Sequence, residues 1–235
     1  MLPSRHFGDL KPESWLGLLD ATYAIILTLM VIDLPSLVTA LIDHFQGSHD
    51  SFLLLIRVLC FHVLGYMAMF MIIYEIWSIH RSTLTISQPS RHKTILTGAI
   101  LAVSSFMPPL VQMANGYRQT YVLSGDQQGW AIVETIRAVL YLLLLLIYFM
   151  LYVSARPSVP GPEESAASLE ANRSLFSLAA VARNRCILAL VIYPISLIFP
   201  VGGPLYLLFF ALIGYFGLDL LRLGRRGLAL VAPGR

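Results

Sequence analysis

Charge is scarce in this sequence. Asp, Glu, Lys and Arg together make up 12% of the 235 residues, while hydrophobic residues make up 57%. A soluble globular chain carries roughly a quarter charged residues. So few charges cannot cover a water-facing surface, which excludes a soluble enzyme and a disordered tail. Cysteine is nearly absent too. Cys60 and Cys186 both lie in apolar runs and offer neither a disulfide framework nor paired metal-ligand spacing. The net charge of +3 is too small to imply a nucleic-acid partner. No His-Glu-x-x-His, Gly-x-Ser-x-Gly or glycine-rich phosphate loop occurs. Asp20 and Asp33 would stand about 20 Å apart on one helix, too far to share a proton. The sequence therefore predicts no enzyme, no cofactor and no bound metal.

Long hydrophobic runs are what the sequence does have. A bilayer core takes about 20 mostly apolar residues per helix. Residues 94–117, 138–155 and 186–218 carry no charge at all. The last run is too long for one helix and is interrupted by Phe199-Pro200-Val201-Gly202-Gly203-Pro204, a strong hairpin signal. The expected fold is an all-α membrane protein forming one transmembrane domain over 1–235. Six transmembrane helices are expected at about 15–36, 52–80, 94–114, 129–154, 177–199 and 204–221. Residues 156–172, rich in Pro, Ser, Ala and Glu, read as a cytoplasmic linker with partial helix.

Basic residues fix the expected orientation, because they concentrate in cytoplasmic loops. With both termini inside, thirteen of the sixteen fall on the cytoplasmic side, counting Arg183 and Arg185 in the first turns of the fifth span. Arg118 alone falls outside, and Arg57 and Arg137 lie within spans. No cleavable signal peptide is expected, since Asp9, Glu13 and Asp20 occupy the first twenty residues.

Ionisable groups inside spans are costly unless paired or wet. Glu134 and Arg137 are three apart and can pair on one helix face. Arg57, His62 and Glu75 share the second span and suit bundle contacts to neighbouring helices. Asp219 and Arg222 suit a helix-end pair. On the first span Ile25, Leu29 and Ile32 fall on one narrow face, with Leu18, Thr22 and Ser36 close to it and Thr28 on its edge. Asp20 points about 140° away from Ile25. In a membrane helix such a stripe suits lipid or core as well as a pore.

Three segments carry a family resemblance. Leu19-Asp20-Ala21-Thr22-Tyr23-Ala24-Ile25-Ile26-Leu27-Thr28-Leu29 resembles the first helix of the transmembrane-protein-175 family, the lysosomal potassium channel and its prokaryotic homologues. That helix typically reads Phe-Ser-Asp, three residues, then Ala-Ile-x-x-Thr-Leu. Trp77-Ser78-Ile79-His80 is similar to the family's Trp-x-x-His, and Phe106-Met107-Pro108-Pro109 to its Leu-Pro-Phe-Pro segment. The family's Arg-x-x-x-Phe-Ser-Asp signature is reduced here to Ser14, Leu18, Leu19 and Asp20.

The resemblance implies a K⁺-permeable, leak-type channel, a homotetramer whose first helices line the pore. It implies a hydrophobic gate at Ile25, Leu29 and Ile32, and Thr28 as the hydroxyl layer concerned with selectivity. Asp20, Trp77 and His80 would form a structural polar network, with His80 bonding to a first-span residue such as Asp20. The expected partners are the lipid bilayer, monovalent cations and three further copies. The expected location is a prokaryotic plasma membrane. The alternatives are a proton-conducting channel or ion-coupled transporter using Asp20, His80 and Glu75 as a relay, and a non-conducting scaffold.

Overall fold

The computed structural model describes residues 12–32, 35, 38, 39, 42, 51–86, 91–124, 127–155 and 166–197. Among them all regular structure is α-helical. Six helices are bounded: α1 (Pro12–Ile32), α2 (Ser51–Ile86), α3 (Arg91–Ser105), α4 (Met107–Ser124), α5 (Gln127–Ser154) and α6 (Ala166–Leu197). Five stretches of the described residues are long and apolar enough to cross a membrane: Trp15–Ile32, Val63–Thr85, His92–Ala114, Gly129–Ser154 and Leu178–Ile195. The expected sixth span at 204–221 and both termini lie outside the described residues, as does 156–165 of the linker. The rest of the linker is already helical, because α6 begins at Ala166.

The bounds depart from the charge pattern in two informative places. The apolar window of α2 runs to Thr85, past the expected end at residue 80, because Arg81 does not terminate the span. Its guanidinium lies 5.4 Å from the centre of the Trp77 ring and 3.7 Å from the Asp20 carboxylate. The 36 residues of α2 would extend about 54 Å, well beyond a hydrocarbon core of about 30 Å.

The third span is carried by two helices. Pro108 and Pro109 lack the N–H groups that would reach the carbonyls of Ser104 and Ser105, so the ladder fails there. A tighter turn replaces it, with Phe106 N–H donating to the Val103 carbonyl at 3.2 Å. α4 then starts afresh with both prolines in its first turn, where missing N–H groups cost nothing.

α1 packs on α2 and touches α3 and α4, while α5 joins α2, α3, α4 and α6. The core is one cluster. α1 contributes Leu19, Tyr23, Ile26 and Met30, and α2 contributes Ile72, Ile73, Ile76 and Ile79. Ile100, Met107, Leu144, Ile147, Tyr148 and Cys186 complete it from the remaining helices. α1 thus lies at the margin of the bundle and not inside it.

Candidate pore helix and its anchors

α1 sorts its side chains onto distinct faces. Leu19, Tyr23, Ile26 and Met30, spaced four, three and four apart, are buried. Ile25, Leu29 and Ile32, spaced four and three apart, are 61%, 42% and 62% exposed. Leu18 extends the exposed stripe. At about 100° per residue the two stripes are separated by roughly a third of a turn, so anchoring one leaves the other free of the subunit's own core. Thr28 is exposed at the stripe's edge and lines an open apolar crevice with Leu27, Val31, Ile32 and Phe70. Its hydroxyl donates to the Ala24 carbonyl at 2.8 Å. With the proton so committed, the oxygen's lone pairs remain available to a cation.

Asp20 sits on a third face and is half-buried. Trp77 Nε1 donates to its Oδ1 at 2.7 Å, joining α2 to α1. Arg81, one turn beyond Trp77 on α2, is 3.7 Å from Oδ2. The carboxylate therefore holds an indole N–H and a guanidinium at once, and Tyr74 packs on the same indole at 5.2 Å between ring centres.

His80 does not bond to Asp20. Its first-helix partner is Tyr23, whose hydroxyl lies 3.3 Å from Nδ1 and 3.4 Å from the Ser104 hydroxyl. Its Nε2 lies 3.3 Å from the Thr97 hydroxyl. Tyr23, His80, Thr97 and Ser104 are each at most 1% exposed. The difference has a simple cause. Trp77 and Arg81 are one helical turn apart and both reach the acid, whereas His80 is rotated towards the buried stripe, where Tyr23 lies. Two polar sets result, and both tie α1 to its neighbours.

Glu75 belongs to neither. It is 5% exposed and faces α5 and α6, accepting from the Tyr148 hydroxyl at 3.3 Å, with Arg185 of α6 as its charged neighbour. Tyr193 packs on Tyr148 at 5.5 Å between ring centres. Glu134 and Arg137 form their pair within α5, and Arg183 donates to the Tyr152 hydroxyl at 2.9 Å. None of Asp20, His80 and Glu75 bonds to another. The side chains of Arg57 and His62, and the Asp219–Arg222 pair, lie outside the described residues. Among the described residues no group of three or more His, Cys, Asp or Glu side chains is placed to hold a metal ion.

Sequence reasoning did not single out Tyr23 in this role, nor Thr97, Ser104 or Gln112. Tyr23 reads as an ordinary core aromatic, and serine or threonine in a membrane helix usually bonds to its own backbone. Gln112 Nε2 lies 3.4 Å from the Leu29 carbonyl, a contact between α4 and α1 that no local pattern announces.

No curated protein and no solved structure matches the chain. Residues 16–108, which take in nearly all of α1, then α2, α3 and the start of α4, match the model of a family described as "Endosomal/lysosomal potassium channel TMEM175". That stretch, which holds the exposed stripe and both polar anchors, is similar to a family whose description is that of a potassium channel.

Proposed function

We propose that the chain is the subunit of a K⁺-permeable, leak-type cation channel. Four copies assemble with their α1 helices at the axis, and Ile25, Leu29 and Ile32 form stacked aliphatic rings. The observation that carries this reading is the division of α1 into an anchored face and an unpartnered one. A helix bound through Leu19, Asp20, Tyr23, Ile26 and Met30 turns Ile25, Leu29 and Ile32 away from its own subunit. That helix lies within the segment matching a potassium-channel family.

The rings close the path by dewetting, since a narrow apolar constriction holds no continuous water column for a hydrated ion. Tilt or rotation of α1 separates them. Thr28 then offers hydroxyl oxygens to an ion passing the open constriction, at less cost for weakly hydrated K⁺ than for Na⁺. In this reading both termini and the 156–172 linker are cytoplasmic, and the protein spans a prokaryotic plasma membrane.

The relay alternative lacks such support, because Asp20, His80 and Glu75 occupy separate clusters on different faces of the bundle. The test is K⁺ efflux from K⁺-loaded liposomes diluted into Na⁺, with a proton-sensitive dye and a proton ionophore reporting the flux. Wild type conducts, and Leu29→Trp, which fills the axis with four indoles, reduces efflux at least tenfold. Equal efflux in the two would sink the assignment of α1. No efflux from folded, tetrameric wild type would sink the channel.

A further inference from the structure

Gln112, on α4, plays no part in the account so far. Its side-chain amide reaches the main chain of α1, with Nε2 lying 3.4 Å from the carbonyl oxygen of Leu29. Leu29 is a member of the exposed stripe, yet its carbonyl is held from behind. The contact is to backbone, so it constrains where the helix sits and not which side chain the position carries. Gln112 lies in the apolar stretch His92–Ala114, where an amide is costly unless it is hydrogen-bonded.

The place on α1 is also a weak one. Pro35, itself helical, has no N–H to offer the carbonyl of Val31, so that carbonyl lacks its usual helical donor close to Leu29. The other end of α1 is secured differently. There Asp20 binds Trp77 and Arg81, and Tyr23 binds His80 and Ser104. Beyond Tyr23, Gln112 supplies a side-chain hydrogen bond from a neighbouring helix to α1. α1 is therefore pinned by two polar sets at one end, and at the other by packing with a long hydrogen bond from Gln112 among its contacts. α4 supplies that bond from beyond the interruption of the helical ladder at Phe106.

We propose that Gln112 is a positioning residue for the gate. Its bond to the Leu29 carbonyl latches the outer half of α1 in the constricted arrangement, and it breaks when α1 pivots about the Asp20 and Tyr23 anchors to part the rings. This rests on the reading of α1 as the pore helix.

The test compares wild type, Gln112→Leu, Gln112→Glu and a neighbouring exposed control, Met113→Leu, in liposomes. It uses K⁺ efflux, single-channel recording and hydrogen–deuterium exchange of residues 26–32. Gln112→Leu removes the donor and raises open probability about threefold per latch, the scale of a typical interhelical hydrogen bond in a membrane. Unitary conductance and K⁺/Na⁺ preference stay unchanged, and exchange in 26–32 becomes faster. Gln112→Glu restores a donor only when protonated, so it matches wild type at acid pH and Gln112→Leu at alkaline pH. Should Gln112→Leu fail to fold, that pH profile remains as the readout. Met113→Leu leaves all three readouts as in wild type.

Unchanged exchange in Gln112→Leu overturns the latch whether or not the protein conducts. Faster exchange with unaltered open probability in a conducting protein overturns its role in gating. Faster exchange in Gln112→Leu, when folded wild type passes no K⁺, overturns the pore reading and, with it, the latch as a gating element.

Discussion

Replacing Ile25 by asparagine separates a gate from a core position with one substitution. Ile25 is 61% exposed in the subunit and Ile26, next to it, is 2% exposed. If Ile25 forms a dewetting ring, an asparagine ring keeps the constriction wet. A polar amide without a partner in a dry site costs about 1–3 kcal/mol, and the dry closed state is disfavoured on that scale. With about 1.4 kcal/mol per factor of ten, K⁺ leak should rise about tenfold.

The folded subunit should barely notice, since exposed substitutions usually fall within about 0.5 kcal/mol. Ile26→Asn should do the opposite. It opens a cavity beneath α1 and buries an unpaired amide, at a combined cost of about 3 kcal/mol or more. Efflux from liposomes and thermal melting in detergent read the two outcomes. A leak unchanged by Ile25→Asn, with the variant folded and assembled, would refute the gate assignment.

Other substitutions test the anchors. Asp20→Leu removes the acceptor of the Trp77 indole and should cost about 1.5–3 kcal/mol, whereas Asp20→Asn keeps an acceptor and should cost less. Melting temperatures in the same detergent decide between these. Arg81→Gln loses a half-exposed pair with Asp20 and the cation's place over the Trp77 ring, and should change stability by about 1 kcal/mol. Tyr23→Phe removes one hydroxyl shared by His80 and Ser104, at about 1–2 kcal/mol, and loosens α1 as read by hydrogen exchange. Glu75→Gln keeps an acceptor for Tyr148 and should leave K⁺ efflux intact, while abolished efflux would favour the relay.

Much of the architecture was legible in the sequence because lipid imposes long uncharged runs. The span 129–154 followed from the uncharged run 138–155, with Glu134 and Arg137 close enough to pair near its other end. The exposed face of α1 was legible as a periodicity, although periodicity cannot say which of two apolar faces is buried. Only packing distinguishes Ile26 from Ile25. Arg81 looked like the end of a span, and its pairing with Asp20 and Trp77 is a tertiary fact. His80 meets the first span, as expected, but at Tyr23 and not at Asp20, for the same kind of reason. Asp20 was the conspicuous acid, and nothing local marks a tyrosine hydroxyl as the group the imidazole meets. Pro108-Pro109 announced a feature in the third span, but that the chain breaks there into α3 and α4 depends on where the helix restarts. The expected sixth span and the cytoplasmic placement of the termini fall on residues outside those described.

The central claim is that the face of α1 bearing Ile25, Leu29 and Ile32 lines the ion path. Cysteine accessibility tests it most directly, in a Cys60→Ser background that removes the exposed native thiol and leaves the buried Cys186. Cysteines are placed one at a time at Ile25, Leu29, Ile32, Ile26 and Met30, and currents are recorded before and after a charged, water-soluble thiol reagent. Progressive block is expected at Ile25, Leu29 and Ile32 and none at Ile26 or Met30. Block at Ile26 and Met30 with none at the exposed stripe would contradict it.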